Sequence, residues 1–358
     1  MKMPNVHIRE EIRKKGVIPF ARFMELALYC PETGYYESLK DNVGRGGDFI
    51  TSVSVGSLFG ELLAFQFAAW LAELKIPGQP LTILEAGAHD GKLAADILRW
   101  LQAHRPAFFA RLEYRILEPS PRRQAWQQQT LQAFAPHVRW FSGFSDPALP
   151  SSHGILFSNE LLDAFPVHRL GWDAPAQQWF EWGVTLAADA FTWAKLPPTV
   201  PHPSATALEA VLPDNYTIEV SPAAEHWWSL AANHLQQGKL LTFDYGFTSA
   251  EEIFSPVRTS GTLRAYSNHH VTSDLLTRPG EQDLTAHVNF SAIQTVGETA
   301  GLTTEIYSPQ ARFLTQILAR TQIDQSFGEW TPNRSRQFQT LTHPEHLGRA
   351  FQVLVQAR

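Results

Sequence analysis

The sequence predicts an α/β fold in which a mainly parallel sheet is flanked by helices, and two observations support this. From Leu81 onward, short apolar runs alternate with amphipathic segments, as in parallel strands connected by helices. The chain also has 358 residues, 44% of them hydrophobic, which is enough to bury one large core and an appended lobe. The predicted strands are 81–87 (LTILEAG), 114–120 (YRILEPS), 138–144 (VRWFSGF), 154–160 (GILFSNE) and 239–246 (KLLTFDYG).

This pattern divides the chain into four regions. Residues 1–75 precede the first strand and have helical spacing of apolar residues, so we expect a smaller N-terminal helical lobe. Residues 76–169 and 214–325 form the predicted core. Between them, 170–213 is rich in Trp, Pro and Ala, which favours an inserted β-hairpin that acts as a lid. Residues 326–358 are predicted to be a C-terminal tail.

Composition excludes several classes of protein. The 29 basic and 35 acidic residues give a net charge of -6, which argues against nucleic-acid binding through the phosphate backbone. The single cysteine, Cys30, allows neither an intrachain disulfide nor a cysteine metal cage. The N-terminus has no apolar signal core, and no apolar run is long enough to cross a membrane. We therefore expect a cytoplasmic protein without membrane insertion.

Two further site types lack their motifs. The 14 histidines show no H-x-x-x-H or H-E-x-x-H spacing, so we predict no metal site. The G-x-S-x-G turn of serine hydrolases is absent as well.

The strongest local motif is Glu85-Ala86-Gly87-Ala88-His89-Asp90-Gly91, between the first predicted strand and a helix. Gly87 and Gly91 allow close backbone approach to a ligand, and the helix N-terminus offers free N–H groups. Three residues separate these glycines, unlike the G-x-G-x-x-G of nicotinamide enzymes, and the P-loop spacing is also missing. The E-x-G form is typical of methyltransferases, although a plain strand-to-helix turn is the alternative. Glu85, Gly87, His89 and Gly91 are therefore cofactor-binding candidates.

Acids after the next two strands are further candidates, because ligands of open α/β sheets bind beyond the carboxyl ends of the strands. Glu118 ends the second strand, where a carboxylate can accept both ribose hydroxyls of an adenosine. Asp146 follows the third strand and could approach the adenine. An ordinary loop acid is an equally good interpretation of Asp146.

The fourth strand leads into Asn159-Glu160-Leu161-Leu162-Asp163. We place Asn159 with the cofactor and interpret Glu160 and Asp163 as catalytic candidates, since two acids three apart share one face if the segment turns helical. Helix N-terminal acids that touch no substrate are the alternative. Further along, His287 could act as a base or have only a structural role.

Several spaced blocks then resemble the MidA family, which includes a mitochondrial complex I assembly factor that methylates an arginine of a core subunit. They occur in the family's order: GGDFITS (46–52), SLFGELLA (57–64), SNELLDAFPVH (158–168), LTFDYGF (241–247), GTLRAYSNHH (261–270) and PGEQDLTAHVNF (279–290). The resemblance implies a Rossmann-like class I methyltransferase fold, S-adenosyl-L-methionine as cofactor, and a protein substrate such as a respiratory complex I subunit. Asp48, in the first block, could help close the lobe over the cofactor, or could cap a helix or turn.

Two positions depart from the family pattern. The family usually has glycine where His89 stands, and its SPE sequence is replaced here by Ser52-Val53-Ser54. His89 could narrow the site, donate to the cofactor carboxylate or weaken binding. A non-catalytic assembly factor and a small-molecule methyltransferase therefore remain alternatives, and a homodimer is left open.

Overall fold

The computed structural model describes residues 5–37, 51–74, 80–202, 209, 211–267, 270–272, 274–344, 347–348 and 351–358. The helices are α1 Val6–Lys15, α2 Phe20–Tyr29, α3 Ser52–Val55, α4 Leu58–Glu73, α5 Lys92–His104, α6 Pro106–Phe109, α7 Pro121–Thr130, α8 Pro222–His234, α9 Ala250–Ile253, α10 Phe290–Thr299, α11 Gln310–Thr321 and α12 Pro332–Thr342. The strands are β1 Ile18–Pro19, β2 Leu81–Ala86, β3 Leu112–Leu117, β4 Val138–Phe141, β5 Ser152–Asn159, β6 His168–Asp173, β7 Gln178–Ala187, β8 Ala190–Leu196, β9 Thr217–Val220, β10 Leu235–Phe247, β11 Arg264–Ser267, β12 His270–Thr272, β13 Asp283–Thr285, β14 Val288–Asn289, β15 Thr303–Pro309 and β16 Phe351–Ala357.

The main sheet has the strand order β4-β3-β2-β5-β10-β16-β15, and β14 also pairs with β10. Strands β4, β3, β2, β5 and β10 are parallel, and they are the five strands that the sequence predicts. Strand β16 is antiparallel to both of its neighbours. The predicted fold class is therefore confirmed.

Helices cover this sheet through apolar stripes. In α5 the buried residues Leu93, Ile97 and Leu101 recur every four positions, so one face of the helix points into the core. Helix α4 is buried on almost every side and belongs to the same core cluster as α5. The N-terminal region is thus divided between two parts of the molecule, because α4 packs in the main core while α2 packs elsewhere.

A second sheet stands beside the first, in the order β1-β7-β6-β9 with β8 paired to β7. The predicted insertion forms most of it, and the strand at Ile18–Pro19 is added by pairing with β7. Helices α1 and α2 pack in the core cluster under this sheet. The insertion is therefore larger than a hairpin, since it contains β7, β8 and most of β6. Its apolar surface is covered by α1 and α2 from the N-terminal region. A small antiparallel sheet, β12-β11-β13, completes the fold.

The C-terminal region is not the tail that the sequence predicts, because residues 351–357 form a strand of the main sheet. After α12, strand β16 (FQVLVQA) inserts between β10 and β15 and pairs with both. The side chains of Phe351 and of residues 353–356 are buried. This segment has only three consecutive apolar residues, Val353 to Val355, between two glutamines, which is too short a run for its period alone to identify a strand. None of the helices in the described ranges is long and apolar enough to cross a membrane.

Candidate functional site

A cavity of about 1520 Å³ opens at the carboxyl ends of the parallel strands. Residues that directly follow β2, β3, β4 and β5 all line it, as expected for a ligand site in an open α/β sheet. Of the predicted site residues, the cavity wall includes Glu85, Gly87, His89, Glu118, Asn159, Glu160 and Asp163. The fold thus brings seven separately predicted positions together.

The glycine loop after β2 has the backbone that its sequence requires. Gly87 has a φ of 75°, and a Cβ there would lie 3.0 Å from Cδ1 of Leu161. His89 also lies in the left-handed region, with a φ of 48°, which explains why glycine suits this position. Gly91 does not line the cavity; it is the N-cap residue that starts α5. The loop therefore presents backbone and the start of a 13-residue helix to the cavity.

The carboxyl group of Glu85 is hydrogen-bonded to a residue of the neighbouring strand. The hydroxyl of Tyr114 on β3 donates to Oε2 of Glu85 at 2.6 Å. Burial raises the pKa of Glu85 to about 7, although the Tyr114 hydrogen bond lowers it. A cationic group in the cavity would favour the ionised carboxylate.

Glu118 is buried and its carboxylate is fixed at both oxygens. The backbone N–H of Ser120 donates to Oε1 at 3.0 Å, and the side-chain amide of Gln127 donates to Oε2 at 2.9 Å. The same Gln127 amide donates to the carbonyl oxygen of His89 at 3.0 Å, and its oxygen accepts from Nε1 of Trp140 at 3.0 Å. Gln127 therefore ties Glu118 to the glycine loop, a role that nothing local in its sequence indicates.

Asp146 lies outside the cavity wall. Its carboxylate accepts from the backbone N–H groups of Ser142 and Ala148, at 3.0 and 2.9 Å, and these hydrogen bonds hold its pKa below the usual range. Asp146 shapes its own loop, and the residues just before it, 142–145, line the cavity instead. The adenine-contact role expected from the sequence has no geometric support at this position.

Asn159 supplies a polar atom without a partner. Its Nδ2 donates to Oε1 of Glu160 at 2.9 Å, while its buried Oδ1 has no hydrogen-bond partner within the described part of the chain. A buried acceptor of this kind favours a ligand that donates to it. Together with the glycine loop, which lines the cavity, and the buried carboxylate of Glu118, it fits an adenosyl cofactor with an amino-acid end.

Glu160 and Asp163 are positioned by a 3₁₀ turn at Leu162–Ala164 rather than by the expected helix. Oδ2 of Asp244 on β10 accepts from the backbone N–H groups of Leu161, Leu162 and Asp163, at 3.2, 2.8 and 3.4 Å. These are the N–H groups that stay free in the first turn of a helix, so the buried Asp244 caps the start of the turn. Pro166 disfavours helical backbone at Phe165, where the turn ends.

Glu160 also has a strained backbone. Its φ is 53°, and its N–H donates to the carbonyl oxygen of Phe243 at 2.9 Å. A left-handed conformation is costly for a residue with a side chain. The hydrogen bond to Phe243 holds this conformation, and the side chains of Glu160 and Asp163 both lie in the cavity wall.

Carboxyl groups are concentrated at this end of the cavity. Burial raises the pKa of Glu160 to about 8 and that of Asp244 to about 7. Burial, followed by the charges of Asp244, Asp283 and Glu160, raises the pKa of Asp163 well above its ordinary value. Acids that raise one another's pKa values form a site where a bound cation is stabilised.

Tyrosines line the cavity near these carboxyl groups, and the sequence analysis does not identify them as site residues. The hydroxyl of Tyr29 donates to the carbonyl oxygen of Ala164 at 2.8 Å, and that of Tyr36 donates to both carboxyl oxygens of Asp283. Tyr245 and Tyr266 complete the wall. Their partners lie far away in the sequence, so no local pattern reveals them.

Like Gly91 and Asp146, the predicted catalytic residue His287 lies outside the cavity wall. His287 packs against Tyr245 and Phe247, and burial lowers its pKa to about 4. Its position next to β14, which pairs with β10, explains this packing. Asp48 lies outside the described residues. Within the described ranges, no three His, Cys, Asp or Glu side chains form a cluster able to hold a metal ion.

Comparison with known proteins identifies relatives of the whole arrangement. The sequence profile of a family described as S-adenosyl-L-methionine-dependent methyltransferases matches residues 62–308. A crystal structure of a Burkholderia thailandensis protein bound to S-adenosyl-homocysteine superposes with a TM-score of 0.83 and 34% identity, covering 99% of this chain and 92% of that one.

Curated relatives are more distant in sequence. "Protein arginine methyltransferase NDUFAF7 homolog, mitochondrial" of Drosophila melanogaster is 27% identical, covering 97% of this chain and 83% of the relative. The human protein arginine methyltransferase NDUFAF7 is 28% identical, covering 82% of this chain and 68% of the relative. The resemblance drawn from the sequence blocks is confirmed. The prediction of a cytoplasmic location is wrong by this comparison, because these relatives are named as mitochondrial proteins.

Proposed function

The chain belongs to the family of S-adenosyl-L-methionine-dependent methyltransferases, and we propose that its methyl acceptor is the guanidinium group of a protein arginine. The observation that carries the proposal is the acidic end of the cavity. Glu160, Asp163 and Asp283 line the same cavity as the glycine loop and Glu118. A guanidinium is always cationic, and carboxylates bind it through paired hydrogen bonds.

Electrostatics favours this acceptor over a neutral one. In the unliganded protein, burial and mutual repulsion keep the pKa values of Glu160 and Asp163 high. A guanidinium placed among them offsets that repulsion and favours their ionised forms. A neutral hydroxyl acceptor would leave the same repulsion in place.

S-adenosyl-L-methionine, when bound, supplies a methyl group on a positively charged sulfur. The residues proposed to hold it are Glu85, the loop at Gly87 and His89, Glu118 and Asn159. The work of the remaining residues is then to orient the acceptor and exclude water. We propose that Glu160 and Asp163 orient the acceptor and that the tyrosines of the cavity wall exclude water.

The name of the relatives, protein arginine methyltransferase, supports a protein acceptor. The family resemblance adds a respiratory complex I subunit as the acceptor to test first. The homodimer left open by the sequence stays a prediction, and light scattering of the purified chain measures the oligomeric state.

The direct test supplies methyl-labelled S-adenosyl-L-methionine and a panel of peptides that contain arginine, taken from a complex I core subunit. Matched peptides carry lysine in place of each arginine. We expect label on arginine, identified by mass spectrometry of the digested product, and none on the lysine peptides. Glu160→Gln and Asp163→Asn should lose activity while still binding S-adenosylhomocysteine.

Label on lysine, on a hydroxyl or only on small molecules from an extract would contradict the arginine acceptor. Binding of S-adenosylhomocysteine without transfer to any peptide or lysate protein would favour a non-catalytic role. Glu329→Gln, which changes an acid outside the cavity wall, serves as the matched control.

A further inference from the structure

The cavity contains a histidine that none of the assignments above uses. His168 is the first residue of β6 and lines the cavity, together with Ala164, Phe165 and Pro166 from the segment that follows Asp163. The second sheet therefore contributes a histidine to the cavity wall.

His168 is held by a carboxylate that is completely buried. Nδ1 of His168 lies 2.7 Å from Oε1 of Glu181 on β7. The other oxygen of Glu181 accepts from the backbone N–H and the hydroxyl of Thr199, at 2.8 and 2.6 Å. These hydrogen bonds outweigh burial and hold the pKa of Glu181 below its ordinary value.

This pairing determines which ring nitrogen can accept a proton. A carboxylate beside Nδ1 favours the tautomer with the hydrogen on Nδ1, so the lone pair is on Nε2. The same carboxylate stabilises the imidazolium that forms when Nε2 is protonated. The pair therefore has the properties of a base with a fixed orientation.

The acceptor chemistry requires such a base. The attacking nitrogen forms a bond to the methyl carbon, while the S–CH₃ bond breaks and leaves its electron pair on sulfur. Guanidinium and methylguanidinium each carry one positive charge, so one N–H proton must leave for every methyl added.

We propose that Nε2 of His168 takes this proton and that Glu181 is its positioning residue. The inference rests on the arginine acceptor proposed above. The imidazolium then returns the proton to solvent through the open side of the cavity. Glu160 and Asp163 stay ionised and hold the cation throughout.

The charges around His168 leave Glu181 as its dominant partner. On α2, Arg22 and Glu25 line the same cavity and pair with each other, and Arg22 also pairs with Glu11. On β9, Glu219 pairs with Arg169. Glu181 is therefore the charge that stabilises an imidazolium at His168.

The test combines kinetics with a measurement on the unliganded protein. In His168→Gln we expect kcat with the arginine peptide to fall by about a hundredfold or more, with unchanged affinity for S-adenosylhomocysteine. In Glu181→Gln the acid limb of the kcat/KM profile should move to lower pH. NMR of the unliganded protein should show the Nδ1-H tautomer of His168, and this tautomer should no longer predominate in Glu181→Gln.

A merely structural role would change neither the acid limb of the profile nor the tautomer of His168. His226→Gln, on the exposed side of α8, is the matched control and should behave as wild type. A wild-type kcat in His168→Gln, or an unchanged His168 tautomer in Glu181→Gln, would overturn this inference but not the proposed arginine acceptor. Absence of methylarginine in the wild-type reaction would instead overturn the proposed acceptor, and His168 would then have no such proton to take.

Discussion

The hydroxyl of Tyr36 donates to both carboxyl oxygens of Asp283, at 2.9 and 3.0 Å, and thereby joins the N-terminal segment to the acidic end of the cavity. The residues around Tyr36 also reach the cofactor end. The backbone carbonyl of Tyr36 accepts from Arg123, and Glu37 accepts from the hydroxyl of Ser120. Residues 35–37 therefore contact both ends of one cavity.

Tyr36→Phe should loosen this connection while keeping the ring. We expect a stability loss of about 1–3 kcal/mol, since the lost hydrogen bonds are to a buried carboxyl group. Binding of the arginine peptide should weaken more than binding of S-adenosylhomocysteine. Urea denaturation and calorimetry measure both. Tyr29→Phe, which loses a bond to a backbone carbonyl, should cost less, and an equal or larger cost there would contradict the assignment.

Glu118→Gln should weaken binding of S-adenosylhomocysteine roughly tenfold to a hundredfold, because a charged acceptor contributes about 1.5–3 kcal/mol. Isothermal titration calorimetry measures the change. Asp146→Asn is the matched control, an acid after the neighbouring strand whose carboxylate bonds to its own loop. Equal losses in the two variants would show that Glu118 has no special role.

Gln127→Leu should destabilise the protein by on the order of 2–3 kcal/mol, because it leaves buried polar partners unsatisfied. It should also weaken binding of S-adenosylhomocysteine, since Gln127 holds both Glu118 and the carbonyl of His89. Gln128→Leu, one residue along on the exposed side of α7, is the control. Similar free energies of unfolding for Gln127→Leu and Gln128→Leu would contradict the proposal that Gln127 links Glu118 to the glycine loop.

The unliganded protein should become less stable as the pH rises. The pKa values of about 8 for Glu160 and about 7 for Asp244 exceed the unfolded value near 4. The folded chain therefore holds these protons more tightly, and this stabilisation is lost as the pH rises through 7 and 8. Between about pH 6 and about pH 9 we expect a loss on the order of 4 kcal/mol, because Glu160 contributes about two pKa units and Asp244 about one.

Urea unfolding at both pH values measures this loss, which should be smaller in Glu160→Gln. Greater stability at the higher pH would contradict the raised pKa values. Bound arginine peptide should also reduce the loss, because its cation compensates the ionised carboxylates.

Local patterns in the sequence predict the parallel strands and the residues that end them. Glu118 and the glycine loop follow from their places after strands, because such places converge at one edge of a parallel sheet. The same argument selects Asp146, whose carboxylate instead bonds to its own loop. Strand position therefore identifies candidate acids, while side-chain direction depends on nearby N–H groups that the pattern does not include.

Contacts between distant segments account for most of what the sequence does not predict. The pair His168 and Glu181 depends on the register of two antiparallel strands, and the pair Tyr36 and Asp283 joins opposite ends of the chain. The start of the turn at Leu162–Ala164 is fixed by Asp244, on another strand, whose carboxylate accepts hydrogen bonds from its N–H groups. Each case depends on a partner outside the local window.

The place of β16 also affects how the chain reaches this fold. Strand β16 pairs with β10 along one edge and with β15 along the other, and both pairings are antiparallel. Before residues 351–357 insert, both strands therefore present unpaired backbone to solvent, and pairing at such distance along the chain is slow. Refolding should pass through a stage that is prone to edge-to-edge aggregation, and dilute conditions should raise the yield of native protein.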